Sequence, residues 1–437
     1  MADEADERAS GDVVSQEKAE VTAPDPEPPK VPDVELTVDG FGFMPKSAPR
    51  KSRTSKDSDK SLKNVKEHEV PGTEYSSPCV SSTNIDIVRR YTWKTKNRMN
   101  VQVITYGATI TAIKVPDKKG VPDDILAGFD TLEEYFQPRN PYFGSTIGRY
   151  ANYIRDATMV VEPSGGMYML SPNKGGHHYH GGHVGFDKVN WRSYITGNKV
   201  IMSHVSERFH EGYPGTVMVQ VAFEVTCENT LKIEMRCTTS EPTIVNMSNM
   251  PYFNLAGHHS GTETMFDHII TINADKYTVV DDDGLVTGKV VKVLHPLTGR
   301  VLEVYSNQPG MQFYTGNLLP DPDRIVEMEG EEGEEGEDAQ GEKESESESE
   351  ESESEKSSAR EEEEQDDASE GKRSYGYVPL FGKGGALYKK HGFFCLMPQN
   401  YPDAINHKNF PNSVLNPGET YVHKIQYKFG LLLGRYV

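Results

Sequence analysis

Histidine is the side chain best suited to trading protons near neutral pH, and this chain carries four within seven residues: His177-His178-Tyr179-His180-Gly181-Gly182-His183. So many imidazoles could also hold a metal. The run is loop-like, however, and no CxxC pair stands elsewhere, so no metal site is expected. Further proton carriers stand at Glu241, His258 and His259. Cys79, Cys227, Cys237 and Cys395 are too few and too scattered for a disulfide framework.

The elements that must position these residues are strands. Ile85–Tyr91, Val101–Thr105 and Thr109–Val115 are short β-branched runs bounded by Gly, Pro, Asn and Asp. Between Val217 and Cys237, apolar residues alternate with smaller or polar ones on both sides of Glu228-Asn229-Thr230, which predicts an antiparallel hairpin. Cys227 and Cys237 fall on its apolar set and read as small buried hydrophobes. Thr131–Phe136 is one candidate helical turn, and strand texture returns from about Gly384 to Val437. No internal repeat is evident. The reading is an all-β fold, an antiparallel sandwich of about 300 residues with few helices.

Charge divides the 437 residues further. Between Glu327 and Glu370 stand 23 acidic and three basic residues, leaving 44 acidic and 43 basic elsewhere. A nearly neutral protein therefore carries one acidic tract. That excludes a basic nucleic-acid-binding domain. With no run of 18 apolar residues and a polar, acidic start, neither a membrane span nor a leader is expected. The expected location is the cytoplasm. Residues 1–80 read as a disordered tail. The alternating piece Val34–Pro45 could dock as a strand but is expected to be loose, and Lys46–Lys66 is basic. The expected domain covers 81–437, interrupted by an acidic disordered insertion at 321–383, tolerable because loop closure entropy grows only logarithmically. That insertion reads as a spacer or as a docking arm for a basic protein partner. Its Ser345, Ser347, Ser349, Ser352 and Ser354 suit an acidophilic kinase.

Several stretches resemble the aldose 1-epimerase (galactose mutarotase) family: Ile104–Gly120, Leu126–Tyr135, Asn140–Ile154, His178–Trp191, Val245–His258, Pro309–Leu319 and Gly392–Tyr421. They occur in family order across most of residues 85–437. The resemblance implies an antiparallel β-supersandwich and the interconversion of the α and β anomers of a free hexose such as galactose or glucose. In that reaction one group protonates the ring oxygen while another deprotonates the C1 hydroxyl. No metal or organic cofactor is implied.

Carried onto this chain, the family pattern breaks where it matters most. Met250 stands at the general-acid histidine and Met397 at the general-base glutamate. A thioether has no ionisable proton and is a weak acceptor, so no catalytic residue is assigned with confidence. The substrate-binding arginine is replaced by Tyr153. The family's aspartate has no counterpart, because several dozen residues are missing after Tyr277–Val286; Phe266–His268 reads as part of a strand instead. That gap should leave the cleft more open on one side, or a strand edge needing cover. The sugar contacts retained are Asn152, His180 and Gln312, each of which could also simply satisfy buried backbone. His177, His178, His258, His259 and Glu241 are alternative proton carriers for a rewired site.

Overall fold

A computed structural model describes residues 33–45, 86–162, 165–272, 289–322 and 378–434. Residues from Val34 onward form one compact unit. Its architecture is two facing antiparallel sheets. The first has five strands in chain order, β1 (Val34–Phe43), β2 (Ile87–Thr95), β3 (Asn100–Ile104), β4 (Thr109–Pro116) and β5 (Pro122–Asp124). The second has eight strands in the spatial order Arg192–Thr196, Lys199–Ser206, Val217–Val225, Thr230–Thr239, Tyr421–Leu431, Arg300–Ser306, Lys289–Leu294 and Ile269–Ile272.

Alternation builds the core between them. Val217, Val219, Val221, Phe223 and Val225 are buried while Met218 and Gln220 are exposed, and the register runs from Val217 opposite Thr239 to Val225 opposite Leu231. The hairpin expected from period-two patterning is therefore present. Its apolar face packs with Trp93, Val101 and Val103 of the first sheet and with Tyr427 of the last strand. Burying such side chains is the main favourable contribution, at about 25 cal/mol per Å² removed from water. The candidate turn is a short helix, α1 (Leu132–Tyr135), held by a capping box between Thr131 and Glu134.

Three boundary expectations need correction. Residues 1–80 are not uniformly a loose tail, because β1 pairs along its length with β2, from Val34 opposite Thr95 to Phe43 opposite Ile87. Val34 and Leu36 pack against the main core, Phe41 and Met44 against a second apolar cluster, and Arg90 donates two hydrogen bonds to Asp39. Edge pairing with a distant partner supplies the order that local composition does not. The insertion is shorter than 321–383 at its C-terminal end. Leu380–Phe381 is a strand, and Lys383 is buried with its Nζ 2.7 Å from Asp124 Oδ2. Finally, Phe266–His268 is not in a strand: it is a turn between the helix Gly261–Met265 and the strand Ile269–Ile272. The remaining residues of the tail, Lys46–Lys66, the segment Tyr277–Val286 and the serines of the acidic tract lie outside the described residues.

Candidate functional site

Two small pairings bring the retained polar residues together. Tyr153–Ile154 pairs antiparallel with His178–Tyr179, which sets Asn152 beside His180. The Asn152 backbone N–H donates to His180 Nδ1 (3.1 Å), and the His180 N–H donates back to the Asn152 carbonyl (3.2 Å). Both residues adopt left-handed backbone, φ 72° and 50°. Asparagine tolerates this conformation, whereas histidine holds it only where the surroundings enforce it. Gly181 follows because a Cβ there would sit 2.0 Å from the Gly148 carbonyl oxygen.

Gln312 arrives from a different sheet, of three strands, in which Gly310–Tyr314 pairs with Phe394–Gln399. Its Oε1 accepts from Asn152 Nδ2 and from Gln399 Nε2, the latter at 3.3 Å. Asn152, His180 and Gln312, expected on separate motifs, thus form one network with a fourth member, Gln399. Sequence reasoning missed Gln399. The available signal was its position two residues beyond Met397 on one strand, where i and i+2 share a face.

Within this network two buried polar atoms lack a protein partner among the described residues, His180 Nε2 and Gln399 Oε1. Both residues are 2% exposed. Because Nδ1 accepts a hydrogen bond, the imidazole proton belongs on Nε2, so the network holds one unmatched donor and, on Gln399, one unmatched amide acceptor. Burial, reinforced by Lys174 and Lys188, pushes the His180 pKa down to about 3, so the ring is neutral at physiological pH.

Tyrosines close over this network. The Tyr179 ring lies 3.7 Å and the Tyr142 ring 5.0 Å, centroid to centroid, from His180, and Tyr153 stacks at 4.4 Å on Tyr179. Tyr153, in the arginine's place, packs on Tyr179. Among the described residues Ile269–Ile272 ends the eight-stranded sheet and Ile272 is exposed. Two open cavities lie away from these residues. One of about 620 Å³ is lined by Asn307, Gln308, Asn400, Asn412 and Tyr421, and one of about 770 Å³ by Arg192, Ser203, Gln220 and Arg236.

Met250 and Met397 are 5% and 1% exposed and belong to one apolar cluster with Phe143, Tyr252 and Cys395; Met397 is directly opposite Gln312 in register. None of the alternative proton carriers has a hydrogen bond to the network. His178 is fixed between the Ser171 carbonyl and the Tyr213 hydroxyl, and His177 accepts from the Asp156 N–H. His258 lies against Tyr388, His259 near Asp123, and Glu241 pairs with Arg208. Among the described residues, no cluster of three or more His, Cys, Asp or Glu is placed to hold a metal, and no helix is long and apolar enough to cross a membrane.

The antiparallel β-sandwich thus brings His180, before its Gly-Gly turn, into one network with Asn152, Gln312 and Gln399. The aldose 1-epimerase family model matches residues 89–297 and 289–428, and the chain belongs to that family. Human galactose mutarotase is 34% identical over 376 residues, covering 76% of this chain and 92% of the relative. The bovine galactose mutarotase is 32% identical over 378 residues, 77% and 92% respectively. Among solved structures, a GalM/aldose epimerase homologue from C. elegans superposes with TM-score 0.58 at 22% identity, covering 77% of this chain and 97% of that one. A galactose 1-epimerase from Lactobacillus acidophilus does so with TM-score 0.53 at 18% identity, covering 79% and 95%.

Proposed function

We propose that this chain is a hexose-binding member of the family, acting in the cytoplasm, that has lost efficient anomer interconversion. The observation that carries the reading is one hydrogen-bonded network holding an unmatched donor, His180 Nε2, and an unmatched acceptor, Gln399 Oε1, with buried methionines at positions 250 and 397. A buried polar atom without a partner costs about 1–3 kcal/mol. Sugar hydroxyls, which donate and accept, would relieve them. General acid–base catalysis is worth about 10²–10⁴-fold per group. Methionine at both positions supports binding without turnover, since neither side chain can give or take a proton.

The test is polarimetry of α-galactose and α-glucose beside calorimetric titration of the same sugars. Binding without acceleration over buffer is expected. Acceleration well above buffer would establish a working epimerase with a rewired acid–base pair. Absence of binding would leave a structural role for the sandwich. The net charge of −20 between Glu327 and Glu370 favours one additional role, docking of a basic protein partner on that tract. Deleting the tract and comparing recovered partners tests it, and an unchanged set would leave a spacer.

A further inference from the structure

Two ammonium groups flank the sugar network. Lys174 Nζ lies 4.8 Å from the Tyr179 ring centroid and 5.6 Å from that of Tyr153. Lys188 Nζ lies 5.5 Å from the Tyr142 centroid. These are the rings that close over His180, and both lysines act electrostatically on its imidazole. Lys188 is partly engaged, donating to the His183 carbonyl at 3.0 Å and standing 3.5 Å from Asp187 Oδ2. Lys174 has no acidic partner within ion-pair distance among the described residues. His180, whose ring packs against Tyr179 and Tyr142, carries a buried Nε2 without a partner among the described residues.

We infer that the cleft is selective for a hexose bearing an anionic substituent, a carboxylate or a phosphate. This deepens the hexose-binding reading and rests on it. The network of Asn152, Gln312 and Gln399 offers amide groups suited to hydroxyls, whereas Lys174 and Lys188 offer point charges suited to an anion. Lysine is a compact charge on a flexible stem, so either oxyanion can be met without the planar geometry an arginine would demand. Tyr153 helps by presenting a ring face that holds the Lys174 ammonium near the cleft. Asp187 is buried and paired with Lys188, leaving Lys174 as the uncompensated charge.

The experiment titrates the full chain with galactose, galacturonate and galactose 6-phosphate by calorimetry at low and high salt, and repeats the series with Lys174→Met and Lys174→Gln. The expected result is at least one anionic sugar binding on the order of tenfold tighter than galactose, with a preference that shrinks at high salt and narrows in both variants. Which of the two acids wins distinguishes a carboxylate from a phosphate ligand. Equal or weaker binding of both acids than of galactose, or a preference unmoved by both variants, overturns the inference while leaving hexose binding intact. Failure of all three sugars to bind overturns both.

Discussion

Asn152 and His180 hold each other by reciprocal hydrogen bonds, backbone N–H to ring Nδ1 in one direction and backbone N–H to carbonyl in the other. The consequence is a fixed tautomer, with the ring proton on Nε2. His180 is thus a structural acceptor and, in the proposed function, also a ligand donor. His180→Phe should remove both, costing about 1–3 kcal/mol through the orphaned Asn152 N–H and abolishing hexose binding. Gln312→Leu should remove sugar binding with a smaller loss of stability, because Gln312 is only partly buried. Denaturant unfolding together with calorimetry checks this, and wild-type affinity in either variant would place the sugar elsewhere.

The methionines allow a gain-of-function test. Met250→His with Met397→Glu returns an acid and a base to the positions from which the resemblance says they are missing. Each is worth about 10²–10⁴-fold when correctly placed, so the double variant should accelerate anomer equilibration in polarimetry, with the single variants gaining much less. Stability should fall, since the apolar cluster of Phe143, Tyr252 and Cys395 must then accommodate a glutamate. A double variant that folds, binds sugar and remains as slow as the parent would show that the loss of rate lies beyond these two side chains.

How much of this was legible beforehand depended on whether the determinant was local. The hairpin Val217–Thr239 was, because period-two burial is written directly into consecutive residues. Asn152, His180 and Gln312 were legible one by one through their motifs, but their meeting depends on two separate pairings, Tyr179 with Tyr153 and Gln312 with Met397. Gln399 was missed for that reason. β1 was misjudged because its order comes from a strand more than 40 positions away. The tyrosine cluster was likewise invisible, since Tyr142, Tyr153 and Tyr179 become neighbours only in the folded chain. The sequence did show that the arginine had gone, but not that its replacement would pack on Tyr179.

The resumption of the fold after the acidic tract hangs on Lys383. Its ammonium donates to Asp124 Oδ2 at 2.7 Å and to the Thr111 carbonyl at 2.8 Å, while Asp124 Oδ1 accepts from the backbone of Ile113 and Leu126. Lys383→Met would leave the Asp124 carboxylate buried without its cation, a loss of about 3–5 kcal/mol. Lys383→Met combined with Asp124→Asn should recover part of it, because the amide oxygen can still take the backbone donors. Chemical denaturation of the parent and the two variants reads this directly, and a Lys383→Met variant as stable as the parent would reduce the pair to a surface contact.

Stability should also decline on acidification well before carboxylates protonate. Burial lowers the pKa of His180 and His423 to about 3, and of His204 and His268 to about 4. Each stays neutral in the folded state while the same residue in the unfolded chain takes a proton near pH 6.5, so the unfolded state binds more protons throughout that interval. Stability contributed by these neutral rings is complete above pH 6.5 and is lost as pH falls toward 3 to 4. Asp187 works the other way: burial raises its pKa to about 6, so its contribution is present at low pH and lost as pH rises through 6. Four histidines outweigh one aspartate, and the melting temperature should drop by roughly 5–10 °C between pH 7 and pH 5. His268, whose Nδ1–H donates to the Met265 carbonyl and whose Nε2 accepts from the Leu255 N–H, is the variant of choice. His268→Gln can retain one of these bonds without a titrating ring, so its melting curve should depend less steeply on pH. A melting temperature that stays level from pH 7 to pH 5 in the parent would mean that these rings are hydrated and protonate freely in the folded protein.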